Sequence, residues 1–578
     1  MTFSANHCGP NSTQNNNSGL DQYNFNGTFI TNVNTSPESV LEKLAPYVAA
    51  NALHNAKGRA NRCACLKGTR GGFIEKLGSW VEDPNGKGHV NWVKAGAGVG
   101  KTAVAQTLCE KYSRIENFKG PLAAAYFFSR NDGTRNSMKQ FVPTIAYQLA
   151  RSPALQPYLA NTISTALLSD PGIVDADWED QFERLIREPC DRVAPELWET
   201  LPRLVIIDGL DECMDIVEPQ TGNQGQDAWQ RDGQRRLLSM IQDSASSPSR
   251  LPLRFLIFSR PEHTISNFLH IDLFPDLEQT DMHELRTEAD GDIYLYLSQE
   301  FARLVKVRRD AHLDASWPGE EAIQKLTRMS DGHFIYVVTA VRYVMDDDPS
   351  SHPQERLDII LHPKPSKYPD LIPLDKLYLQ ILQPFIDIRE QLLFPLLQLI
   401  TPPVWAYMEI PLEIPVDSYR TRRFLAELLN HVDSRHISII LSRLRSVLYV
   451  PDDEYRGAVS VLHASFTDFL MDRRRSNDFH LKSLDTVHYF DRLVHSSFRV
   501  LTRVMLQYDQ NCVQRREPPV IEPWAFNAWL GLKDSISLWF RVSGVGAESL
   551  KDINEFDVYR YVNMLNDRYV FLKLFEGT

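Results

Sequence analysis

Between Val90 and about Leu277, short apolar runs alternate with longer stretches of helical periodicity. The runs are His89-Val-Asn-Trp-Val-Lys94, Leu122-Ala-Ala-Ala-Tyr-Phe-Phe128, Arg203-Leu-Val-Ile-Ile-Asp208 and Leu253-Arg-Phe-Leu-Ile-Phe-Ser259. Strands covered on both faces read as nearly continuous apolar runs, so the alternation predicts a parallel sheet flanked by helices, an α/β domain. Residues 38–61 predict a helical lead-in to it. Residues 214–233 carry Pro, Gln, Gly and Asp without periodicity and predict an exposed insertion. From Asp290 onward the pattern is mainly helical, interrupted by Pro-rich linkers at residues 346–373 and 401–415, which predicts small helical domains behind the α/β domain. No period of 20 to 50 residues recurs, so a solenoid or propeller is unsupported.

Composition adds limits. At 578 residues, with 43% hydrophobic and 24% charged positions, the chain has room for several domains and can bury a core through most of its length. Residues 1–37 differ: they are rich in Asn, Ser, Thr and Gly and predict a disordered tail. The balance of 62 basic against 74 acidic side chains gives a net charge of −12, which argues against nucleic acid or a membrane surface as a partner. Seven scattered Cys do not describe a disulfide framework or a zinc site, and a reducing, cytoplasmic setting fits them. The aromatics of residues 476–578, among them Trp524, Trp529 and Trp539, predict a packed helical region without an assignable motif.

The strongest chemical signal is Ala95-Gly-Ala-Gly-Val-Gly-Lys101-Thr102, after one expected strand and before a helical pattern. Glycines there let backbone N–H groups turn inward on a polyphosphate, and the following helix adds the positive end of its dipole. The candidate phosphate-binding residues are Gly96, Gly98, Val99, Gly100, Lys101, Thr102 and Ala103, with Lys101 on the outer phosphates and Thr102 as a Mg²⁺ ligand. Ala95 stands where the usual pattern begins with glycine. A later apolar run ends in Asp208 and continues as Gly-Leu-Asp211-Glu212. Three carboxylates at one strand end repel each other unless a cation or a reacting water lies among them, so Asp208 is the second candidate metal ligand and Asp211 or Glu212 the group that positions water. Arg260, behind Phe255-Leu-Ile-Phe-Ser259, offers a planar guanidinium at the edge where a terminal phosphate would lie.

At this point the chain resembles the NACHT-domain NTPases, and within them the fungal NOD-like receptors of the signal-transducing (STAND) P-loop class. The resemblance runs from about Cys65 to about Arg475 and rests on seven ordered motifs. They include Gly68-Thr-Arg70, Phe127-Phe-Ser-Arg130, Asp208-Gly-Leu-Asp-Glu-Cys213, Ser259-Arg-Pro-Glu262, Gly332-His-Phe-Ile-Tyr336 and Leu462-His-Ala-Ser-Phe-Thr-Asp-Phe-Leu470. It implies a nucleotide-binding domain at 90–284, preceded by an adenine-contacting segment within 38–89. A helical domain at 285–348 and a winged helix at 370–475 would follow. It also implies a switch between a closed ADP-bound state and an open, self-associating ATP-bound state, with slow hydrolysis as a timer. By resemblance Thr69 and Arg70 contact adenine, Arg260 reads the γ-phosphate, and His463 holds the ADP β-phosphate; ATP or ADP with Mg²⁺ is the implied cofactor. The upstream trigger and the effector protein are not named by these residues. A constitutive P-loop ATPase or kinase, and a non-catalytic scaffold that retains ADP, remain as alternatives.

Overall fold

A computed structural model of the chain describes residues 41–56, 64–83, 88–113, 120–214, 226–246, 250–270, 274, 277–282, 286–345, 352–362, 371–401, 420–429, 434–454, 457–481 and 502. The tail expected at 1–37, the linker at 402–415 and nearly all of 476–578 lie outside the described residues.

All four expected runs are strands: β1 (Val90–Lys94), β2 (Leu122–Phe127), β3 (Leu204–Asp208) and β4 (Arg254–Ser259). With a fifth, β5 (Leu277–Asp281), they form one sheet in the order β2-β3-β4-β1-β5, every neighbouring pair parallel. Alternate side chains of a strand point to opposite faces, and here both faces are dry. Val205, Ile207, Phe255 and Ile257 join the core containing helices Phe141–Arg151 and Gln156–Ser169. Leu204, Ile206, Leu256 and Phe258 join the core containing helices Gly71–Glu82 and Lys101–Ser113. Each such fully buried aliphatic side chain stabilises the fold by about 1.5–3 kcal/mol. β5 was not expected. It is an edge strand in which only Leu277 and Thr280 are buried, so Glu278 and Gln279 leave no apolar run to read.

Three expectations need correction. Within the lead-in, the described residues 42–56 form 3₁₀ turns at Glu42–Tyr47 and Ala50–Ala52 rather than a continuous α-helix. Pro46, inside the first, has no N–H to donate and its ring clashes with the preceding turn. Leu41, Leu44 and Ala52 are buried against the sheet domain all the same. The insertion ends early, because a helix begins at Gln226 and runs to Ser246. Leu237, Leu238 and Ile241 give it a buried stripe from which polar turns can propagate toward its start. The Pro-rich linker at 346–373 contains the helix Pro353–Leu361, where Pro353 at the first position suits helix entry.

Beyond the sheet, helices including Arg286–Val307, Phe334–Val344, Pro373–Leu382, Ser434–Arg443 and Ala464–Met471 share one apolar core that runs from Ile293 to Leu481. A short antiparallel pair, β6 (Leu448–Tyr449) and β7 (Ser460–Val461), lies between the last two. No helix of the described residues is long and apolar enough to cross a membrane. The helical core reaches the sheet domain beside the carboxyl ends of β1, β3 and β4, where open parallel sheets bind ligands.

Candidate functional site

The turn after β1 is tied to β4 by the Ala95 N–H, which donates to the Ser259 carbonyl at 3.2 Å. Gly98 (φ +74°) and Gly100 (φ +107°) both occupy backbone conformations that side chains disfavour. Their surroundings differ. A Cβ on Gly100 would meet nothing within 4 Å, whereas one on Gly98 would lie 2.1 Å from Ile335 Cγ2. The Ile335 N–H also donates to the Gly98 carbonyl at 3.1 Å, so the start of helix Phe334–Val344 sits directly on the turn. Val99 is buried behind it. Lys101 opens the helix Lys101–Ser113, and its ammonium donates back to the carbonyls of Ala95 (3.0 Å) and Gly96 (2.8 Å). Thr102, exposed, and Ala103, half-buried, complete the first turn.

The acidic strand end folds inward. Asp208 and Asp211 are both buried. Asp211 Oδ1 accepts from the Arg260 backbone N–H at 3.0 Å, and its Oδ2 pairs with Arg260 Nε at 3.1 Å. Glu212 Oε2 accepts from the Arg130 backbone N–H at 3.2 Å. Burial, with the Asp211 charge adding to it, raises the Glu212 carboxyl above the ordinary carboxylate range despite Arg130 and Arg260 nearby. Burial lowers the Lys101 ammonium more than Asp211, Asp208 and Glu212 raise it, and Arg260 pushes the same way as burial. Lys101 thus stands among carboxylates that partly compensate its desolvation.

From the helical core, Asp468 reaches both arginines: Oδ1 pairs with Arg130 Nη1 at 2.8 Å and Oδ2 with Arg260 Nη1 at 2.7 Å. Burial raises the Asp468 carboxyl, but the two guanidiniums outweigh it and hold it below its ordinary value. His463 caps the helix Ala464–Met471. Its Nδ1 accepts from the Ser465 N–H at 3.1 Å and lies 2.7 Å from Ser465 Oγ, which is 2.8 Å from the Tyr378 hydroxyl. Burial, then repulsion from Arg260 and Lys101, drops the imidazole to about 3, so the ring is neutral at physiological pH. With Nδ1 accepting, the proton of the neutral ring resides on Nε2. Phe466, Phe469 and Leu470 of this helix are buried in the helical core.

A small open cleft adjoins the turn, lined by Arg70, Val99, Met282, Ala289, Gly332 and His333 among others. Arg70 has a left-handed backbone (φ 57°) held by Asp292, whose Oδ2 accepts its N–H at 2.9 Å. Its Nη2 donates to the Val99 carbonyl at 2.9 Å and its guanidinium lies 5.1 Å from the Phe334 ring centre. Thr69 is buried and its hydroxyl closes the local turn onto the Leu66 carbonyl at 2.8 Å, so Arg70 and not Thr69 faces the cleft.

Lys101, Asp208, Asp211, Glu212, Arg260 and His463 therefore share one neighbourhood, and Arg70 flanks it through Val99. Three further residues belong there for which the sequence suggests no role: Arg130, Ile335 and Asp468. Each lies within a motif noted for its likeness, yet no spacing rule relates Arg130 to a carboxylate 338 positions away.

The fold is an α/β domain with a five-stranded parallel sheet flanked by helices, and with its glycine turn it is consistent with a P-loop-like domain. Residues 73–260, roughly a third of the chain, match the family model of the nephrocystin 3 N-terminal region, a NACHT-related segment; the match extends from the helix Gly71–Glu82 to Arg260. No curated protein matches the chain.

Proposed function

We propose that the chain is a nucleotide-dependent signalling switch that binds ATP or ADP with Mg²⁺ and slowly hydrolyses ATP, in the manner of the fungal NOD-like receptors it resembles. One observation carries the reading: through Arg130 and Arg260, which are fixed by Glu212 and Asp211, the ion pairs of Asp468 join the acidic strand end beside the glycine turn to a separately built helical core. Whatever occupies the turn bears on how the two are held together.

The residues fit a magnesium polyphosphate. The glycine turn offers open space at Gly100, the Lys101 ammonium donates to carbonyls of its own loop, and Asp208 is buried at the strand end. Thr102 and Asp208 would hold the metal, which when bound supplies charge neutralisation between the phosphates. Gly96, Gly98, Val99, Gly100 and Ala103 would direct N–H groups at the phosphates, and the Nε2–H of His463 suits an inner phosphate oxygen. Asp211 fixes Arg260, while Glu212, with its raised affinity for a proton, is the better of the two to take one from water. Arg70 and the adjoining cleft suit a base such as adenine.

The winged-helix assignment at 370–475 is supported by the β6–β7 pair lying between two helices. Self-association on opening, an upstream trigger, a partner effector and a cytoplasmic setting belong to the same reading. The test is to denature purified protein and identify the released small molecule by chromatography. Adenosine diphosphate near one per chain is expected, and Lys101→Ala should weaken retention at least about a hundredfold, since it removes a charge-assisted clamp. An undiminished nucleotide content in that variant rejects the site. Rapid, untriggered phosphate release would point to a constitutive ATPase instead.

A further inference from the structure

Arg130 and Arg260 are held in place without help from the helical core. The backbone N–H of Arg130 is fixed by Glu212 and that of Arg260 by Asp211, so both guanidiniums emerge from positions set by the acidic turn after β3. Asp468 then enters from the other core and spends one oxygen on each of them. Among the described residues, the buried Nε of Arg130 has no hydrogen-bond partner. Two planar cations from different strand ends thus share one carboxylate of the helical core, Arg260 keeping its Nε on Asp211, and Arg130 retains unused donor capacity.

We propose that Asp468 is an internal stand-in for a terminal phosphoryl group, and that Arg130 is a second residue by which this chain distinguishes a nucleoside triphosphate from a diphosphate. The inference rests on the nucleotide reading above and deepens it. A terminal phosphoryl group carries three free oxygens and more than one negative charge, so it satisfies two guanidiniums more completely than a carboxylate does. It also repels Asp468, with which it would share them. A diphosphate brings no such group and leaves the Asp468 contacts intact. Triphosphate binding and the Asp468 bridge are therefore mutually exclusive, and the release of Asp468 is the step that transmits the extra phosphate to the helical core.

The measurement is the affinity of the nucleotide-stripped full chain for ADP and for the non-hydrolysable analogue adenylyl imidodiphosphate, both with Mg²⁺. Asp468→Asn keeps the shape and removes the charge. The ratio of analogue to ADP affinity should rise about tenfold, within the usual range of coupling between sites, with ADP affinity little changed. Adding Arg130→Gln to that variant should return most of the gain. An unchanged ratio in Asp468→Asn, or a full gain retained in the double variant, overturns the proposal and identifies the bridge as a packing contact only. Should Asp468→Asn fail to melt cooperatively, Arg130→Lys replaces it: the ratio should fall about threefold, because the point charge survives and the planar fork does not, and no change rejects the inference. A parent chain that binds neither nucleotide overturns the switch reading itself, an outcome distinct from ADP binding with an unaltered ratio.

Discussion

The helical core meets the sheet domain at two places of opposite chemistry. At one, Ile335 rests on Gly98 so closely that a single added carbon would overlap it, and a backbone hydrogen bond seals the contact. At the other, Asp468 spans Arg130 and Arg260 through ion pairs whose side chains remain 16–21% exposed. The first contact depends on shape and has no charge to be screened or displaced. The second depends on charge and is open to screening by salt. Under the switch reading proposed above, the first contact would serve as the hinge and the second as the latch.

The comparison is broken most severely at the hinge. Gly98→Ala should destabilise the chain by about 3 kcal/mol, combining left-handed strain with overpacking against Ile335. The loss should be equal at low and high salt in denaturant titrations without nucleotide. A variant as stable as the parent would show that Ile335 moves aside freely. Asp468→Ala is the corresponding change at the latch, with an expected loss of about 2 kcal/mol at low ionic strength, since Arg130 loses its partner carboxylate and Arg260 keeps only Asp211. This loss should shrink as salt screens the remaining charges; a salt-independent loss would make the latch a packing contact.

Acid should sharpen the same contrast more gently. His463 lies at about 3 in the folded chain and near 6.5 when unfolded, so the unfolded state binds the proton first as pH falls. Its contribution is complete above about pH 6.5 and drains away toward pH 3, amounting to roughly 1–2 kcal/mol by pH 5. His89, also pushed to about 3 by burial and by Arg250 and Arg254, contributes a similar drain far from the latch. His463→Gln should therefore melt with a smaller drop between pH 7.5 and pH 5 than the parent, while the drop due to His89 persists in both. Identical drops would mean that the His463 ring already carries a proton in the fold.

The four apolar strands, the glycine turn and the acidic strand end were legible because each depends on neighbours in sequence. A strand covered on both faces requires an unbroken apolar run, and a phosphate turn requires glycine at particular offsets. β5 escaped because an edge strand needs only one side buried at intervals, and Leu277 and Thr280 alone supply it. The described part of the lead-in departs from the expected continuous helix around Pro46, which has no N–H to donate to the turn before it.

The sequence alone determined that Lys101, Asp208, Asp211 and Arg260 would gather at one sheet edge, since right-handed parallel connections bring successive strand ends to the same side. It could not determine that Asp468 would bind Arg130, or that Ile335 would demand a bare Gly98. Those pairings arise where two independently packed cores meet, and contact across such a boundary depends on the placement of whole bodies, which leaves no periodic trace along the chain.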